Sequence, residues 1–118
     1  MSTRSSSASK CGIRLAADER FDLQIDLPKD EGYVIGRSDE GVHFTPDIDL
    51  AAYASRENGV SQRHAALVRY RGAPHIIDLS SVNGTYLNGV RLAPEQPYPL
   101  GRDNELKLGM LEMFITIY

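Results

Sequence analysis

The sequence predicts an all-β domain, a β-sandwich or barrel assembled from many short strands. Three observations carry that prediction. Apolar and polar residues alternate over short runs, most clearly Phe21, Leu23, Ile25 and Leu27 against Asp22, Gln24, Asp26 and Pro28. Turn formers separate these runs, and Asn88-Gly89, where both residues tolerate positive φ, is the strongest short hairpin signal. Helical periodicity is almost missing, with residues 48–54 offering one helical turn.

Taken in order, residues 1–11 read as a flexible Ser-rich tail, because polar sequence of this kind lacks the apolar surface to offset its ordering entropy. Residues 12–118 then form one globular unit. Strands are expected over 13–17 and 21–27, and Tyr33-Val34-Ile35 continues the β signal until Gly36. Residues 38–58 form a long, polar, turn-rich loop, and a loop of this length in a compact domain is usually functional or mobile. Beyond it, strands at 64–70 and 75–79 flank the turn Arg71-Gly72-Ala73-Pro74 and should pair as a hairpin. Strands at 85–87 and 90–92 bracket Asn88-Gly89. Those at 105–108 and 111–118 meet at Gly109, the last alternating Leu111, Met113, Ile115 and Ile117 against Glu112, Phe114, Thr116 and Tyr118.

Composition excludes several function classes. A formal net charge of -3 and a pI near 5.5 speak against a general polyanion binder, which carries a basic face. With few aromatic residues and no Trp, stacking platforms for single-stranded nucleic acid also lack a basis, so no nucleic acid partner is expected. Cys11 stands alone and cannot form an intramolecular disulfide, which points to a reducing, cytoplasmic compartment. No signal-peptide core or membrane-spanning run occurs. Cys11, His43, His64 and His75 show no zinc-ligand spacing, and neither metal nor cofactor is expected.

Three short signatures carry the chemistry. In Gly36-Arg37, Gly permits a tight path at a strand end and the guanidinium can form a fork to phosphate oxygens. In Ser61-Gln62-Arg63-His64, a hydroxyl lies in a loop and an imidazole at the boundary of the sheet. A Ser61–His64 nucleophile pair would also need an oriented acid and an oxyanion hole, and no nucleophile elbow occurs, so His64 is read as a ring that braces the loop and Ser61 as a ligand contact. In Asn83-Gly84-Thr85, Asn83 can cap its own turn or present a carboxamide to a peptide backbone. A cation, a hydroxyl and an amide suit a phosphate dianion beside an extended peptide, and none of them needs to do covalent chemistry.

These signatures, in this order, resemble the forkhead-associated domain, a phosphothreonine-binding β-sandwich. The similarity runs through Tyr33-Val34-Ile35-Gly36-Arg37, Val60-Ser61-Gln62-Arg63-His64-Ala65, residues 78–89 and Leu106-Lys107-Leu108-Gly109. It implies a sandwich of about eleven short, mostly antiparallel strands with binding loops at one end. It implies phosphopeptide contacts from Arg37, Ser61, Gln62, Arg63, Val82 and Asn83, while Gly36, His64, Gly84, Thr85, Asn88 and Gly89 shape the loops. Gln62 stands where the family usually has a basic residue or Asn, and Val82 replaces a common Thr. The long Asp-rich loop is similar to a form seen in bacterial members.

The implied function is a non-catalytic signalling module, monomeric as an isolated domain, that binds a threonine-phosphorylated protein, the substrate of a Ser/Thr kinase. The competing reading is a phosphate-independent interaction or scaffold domain of the same fold, kept open by Gln62 and Val82.

Overall fold

A computed structural model describes residues 12–53 and 56–118. The expected tail, Cys11 and Ala54 lie outside the described residues. Among the described residues there are eleven strands and no helix. They are β1 (Gly12–Ala16), β2 (Asp22–Asp26), β3 (Tyr33–Gly36), β4 (Ile48–Asp49), β5 (Ala65–Tyr70), β6 (Ala73–Asp78), β7 (Thr85–Leu87), β8 (Val90–Arg91), β9 (Pro97–Pro99), β10 (Asp103–Leu108) and β11 (Leu111–Ile117).

The strands form a β-sandwich of a six-stranded sheet, order β2-β1-β11-β10-β7-β8, and a five-stranded sheet, order β4-β3-β5-β6-β9. Named strand pairs are antiparallel except β3 with β4. The period-2 alternation sends one face of each sheet inward. Ile13 and Leu15 of β1, Leu106 and Leu108 of β10, and Met113 and Ile115 of β11 meet Ile35, Leu67 and Ile76 of the facing sheet in one core.

Two hairpin turns explain why their strands pair. Asn88 (φ 50°) and Gly89 (φ 86°) both have positive φ, as a twist-matched two-residue hairpin requires. Asn88 is held further by β10, where its Oδ1 accepts the Glu105 N–H at 2.8 Å. The turn between β5 and β6 is shorter than the expected four residues. Arg71 (φ 53°) and Gly72 (φ 79°) make it alone, and Ala73 and Pro74 join β6, with Pro74 opposite Arg69.

The expected helical turn at 48–54 is replaced by β4 and a turn that follows it. Two aspartates hold this path: Asp47 accepts the Val34 N–H at 2.8 Å, and Asp49 accepts the N–H groups of Ser38 and Ala51, each at 3.0 Å. Leu50 N–H reaches the Gly36 carbonyl at 2.8 Å, which keeps the start of this segment extended beside β3, and only after it does Tyr53 N–H close a single turn on the Leu50 carbonyl at 2.9 Å. The long loop is thereby fastened along the strand that delivers Arg37.

Candidate functional site

Three loops meet at one end of the sandwich. β3 ends at Gly36, and a Cβ there would sit 1.9 Å from the Gln62 carbonyl oxygen, so only glycine lets the 61–62 loop cross so closely. That crossing is secured by His64 N–H on the Ile35 carbonyl at 3.0 Å and Arg37 N–H on the Gln62 carbonyl at 3.3 Å.

Arg37 leaves this junction with its guanidinium held at both ends. Nε donates to the Val60 carbonyl at 2.8 Å, and Nη1 donates to Asp39 Oδ1. No described residue accepts from Nη2. Asp39 also accepts from Gln62 Nε2 at 2.8 Å and from Arg56 Nη2 at 2.6 Å. The bond from Gln62, followed by those from the cations, holds its carboxyl below the usual carboxylate range, against a burial that pushes it up.

Ser61 and His64 are joined through the backbone. His64 Nδ1 accepts the Ser61 N–H at 3.0 Å, so the ring carries its proton on Nε2, which donates to the Gly84 carbonyl at 2.9 Å. The ring is fully buried, and that burial lowers its pKa. His64 is therefore a neutral strut between two loops. Its Nδ1 is on the backbone of Ser61, not on Oγ, which instead accepts the Val82 N–H at 3.2 Å.

The third loop rests on a buried carboxylate. Asp78, 3% exposed, accepts from Ser81 Oγ and Thr85 Oγ1, each at 2.6 Å, and Ser81 Oγ in turn accepts the Gly84 N–H at 3.0 Å. Gly84 has φ 91°, which disfavours any side chain there. This loop presents Asn83, exposed, whose Nδ2 donates to the Gly59 carbonyl at 2.9 Å.

Arg37, Ser61, Gln62 and Asn83 are thus brought to one rim. Gln62 spends an amide donor on Asp39, Val82 projects its side chain into solvent at 82% exposure, and the Arg63 guanidinium lies 5.4 Å over the Phe44 ring. Asp39, Arg56, Asp78 and Ser81 were not read as site residues from the sequence. Asp78 had a local signal, a carboxylate three residues before Ser81 at a strand end. Arg56 and Asp39, 17 residues apart, had none.

A family model described as FHA domain matches residues 33–109. Protein FraH of Nostoc sp. is 36% identical over 99 residues, 82% of this chain and 33% of that protein. Probable E3 ubiquitin-protein ligase dma1 of Schizosaccharomyces pombe is 38% identical over 65 residues, 52% of this chain and 24% of that protein. The chain spans a third or less of the length of these curated relatives. The N-terminal FHA domain of S. cerevisiae Rad53p, solved in complex with a phosphothreonine peptide, superposes with a TM-score of 0.65 at 19% identity, covering 90% of this chain and 91% of that one. That likeness speaks for the fold alone, but the matched span of 33–109 takes in all three loops of the rim, and the chain belongs to the FHA domain family.

Proposed function

We propose that this domain is a non-catalytic reader of phosphothreonine in an extended segment of another protein. The observation that carries the reading is the convergence of Arg37, Ser61 and Asn83 on loops tied to one another through Val60, Val82, Gly59 and His64. The donors are oriented before any ligand arrives. Arg37 is clamped at Nε and Nη1, which leaves Nη2 to the phosphate, and Ser61 Oγ accepts from Val82, which leaves its own proton to donate. Asn83, anchored through Nδ2, retains Oδ1 for a peptide N–H. A phosphate near two negative charges strengthens each of these bonds relative to a neutral acceptor. In this reading the partner is a Ser/Thr-kinase substrate, met in the cytoplasm by a monomeric module spanning 12–118. A slot for the threonine γ-methyl would contribute about 1 kcal/mol, a several-fold preference over phosphoserine.

A specific observation also favours the phosphate-independent alternative: Arg37 and Gln62 already share Asp39 as an internal acceptor. Calorimetric titration of peptides selected from a phosphothreonine library, in phosphothreonine, phosphoserine and threonine forms, separates the two. Phosphate-dependent binding is expected, with Arg37→Ala losing on the order of 100-fold and Ser61→Ala about tenfold, each variant still folding cooperatively with a melting temperature lowered by no more than about 10 °C. Equal affinity for phosphorylated and unphosphorylated forms would establish the alternative.

A further inference from the structure

Three hollows run along the outer face of the six-stranded sheet, starting beside the rim and leading away from it. One of about 270 Å³ opens next to Asn83 and is lined by Glu57, Gly59, Tyr86, Lys107 and Met110. A second, of about 300 Å³, shares Tyr86 and Lys107 and extends to Phe114 between Glu105 and Glu112. A third, of about 240 Å³, shares Glu105 and Phe114 and reaches Asp103. Together they make one path away from the site.

Strand register explains its character. The alternation that buries Met113 and Ile115 turns Glu112 and Phe114 outward, and Phe114 stands opposite Glu105 at 54% exposure. Lys107 lies between Glu112 and Tyr86 in register, with its ammonium 5.1 Å from the Tyr86 ring centre. Glu57, Asp103, Glu105 and Glu112 line the path, and no ion pair among the described residues engages any of them. Lys107 is the one cation among these lining residues, and Arg91, opposite Tyr86 in register, holds its guanidinium 5.9 Å from the same ring, so both cations gather at the Tyr86 end while Glu105 and Glu112 flank Phe114. An aromatic, acid-flanked trough of this kind complements an extended segment that is basic and carries an apolar side chain.

Its length sets where that segment falls. Tyr86 to Phe114 crosses two strand spacings and two residues, about 12 Å, and Asn83 to Tyr86, which turns at Gly84 before β7 begins, adds at most about 10 Å. The path is therefore on the order of 20 Å, about six residues of extended chain.

We propose that this trough is a second contact surface for the phosphorylated partner. It takes a lysine- or arginine-bearing stretch about six residues from the phosphothreonine, with an apolar side chain between Tyr86 and Phe114 and a cation between Glu105 and Glu112. The inference rests on the phosphothreonine reading for its anchor.

The test is a positional peptide library with about eight randomised residues on each side of a fixed phosphothreonine, selected on the wild type, Phe114→Ala and the double variant Glu105→Gln/Glu112→Gln. These side chains are solvent-facing, and a melting curve verifies that each variant folds. The expected result is enrichment of Lys or Arg with a large apolar residue about six positions away on one side. The double variant should lose the basic enrichment and Phe114→Ala the apolar one, while both keep phosphate dependence. The enriched peptide should bind each variant about tenfold more weakly, and a version cut to about four residues on each side should bind all proteins alike. Phosphate-dependent binding with no selection beyond four residues, or selection that survives in the variants, overturns the trough and spares the phosphothreonine reading. Binding indifferent to phosphate overturns both.

Discussion

Two carboxylates stand at the two halves of the rim, and they are held in opposite ways. Asp78 is buried and takes its hydrogen bonds from neutral donors, the hydroxyls of Ser81 and Thr85 and the Ser81 N–H. Asp39 keeps a 17% exposed side chain and takes its bonds from two guanidiniums and an amide. The first organises a loop by satisfying hydroxyls that would otherwise be orphaned inside the protein. The second organises cations at the surface, and it carries a charge of the same sign as the proposed ligand. Stability should therefore reside on the Asp78 side and tunable affinity on the Asp39 side.

Removing Asp78 is the strongest challenge to that division. Asp78→Ala leaves the fully buried Thr85 hydroxyl and the Ser81 hydroxyl without their acceptor, a cost of roughly 3 kcal/mol. Urea denaturation should show it as a lowered midpoint at unchanged slope, and a thermal scan as a fall of about 10 °C. Because the Asn83 loop hangs from the same carboxylate, phosphopeptide affinity should fall too. A variant as stable as the wild type would mean that the loop does not depend on Asp78.

Between the halves sits His64, which joins the Ser61 loop to the Gly84 loop as a neutral ring. Burial lowers its pKa from 6.5, so below that value the unfolded chain binds a proton that the folded chain refuses. Stability contributed by the neutral ring is thus complete above about pH 6.5 and is lost progressively as pH falls toward the depressed folded value. Denaturation midpoints compared at pH 7.5 and 5.5 should decrease on acidification. The slope should flatten in His64→Asn, whose own stability is lower at both values. An equal slope in the two proteins would assign the acid sensitivity to another group.

How much of this was legible beforehand depended on whether local chemistry or chain path decided the outcome. Asn88-Gly89 and the alternation of β11 announced themselves because positive φ and a two-residue period are written in neighbouring residues. β9 did not, since Pro97 and Pro99 withhold backbone donors and are tolerated only because this strand lies at a sheet edge. β4 was hidden for another reason: its parallel pairing depends on Asp47 reaching back to β3 and Asp49 to Ser38 just past its end, and a short apolar-acidic run suits a helical turn equally well. In the site, Gly36-Arg37, Ser61 and Asn83 stood out through the donor types gathered in three turns and through their ordered resemblance to a family, not through periodicity. The Asp39 cluster did not, because Gln62 and Arg56 reach it across 23 and 17 residues of a loop whose course no local pattern encodes.

The smallest expected effect is the most discriminating. Asp39→Asn keeps an oxygen for Arg37 and Arg56 while deleting the negative charge, and the Gln62 amide can turn to present its oxygen to the new NH₂ group. Arg37 also retains the Val60 carbonyl on Nε, so its orientation should persist. What changes is the repulsion between a carboxylate and an incoming dianion. At about 6 Å in a water-like dielectric this is on the order of 1 kcal/mol, less once salt screens it. Phosphopeptide affinity should thus rise several-fold at low ionic strength, and the gain should shrink as salt is added, while binding of the unphosphorylated peptide stays unchanged. If Asp39→Asn weakened binding instead, the carboxylate would be a brace like Asp78, and the contrast between the two halves would dissolve.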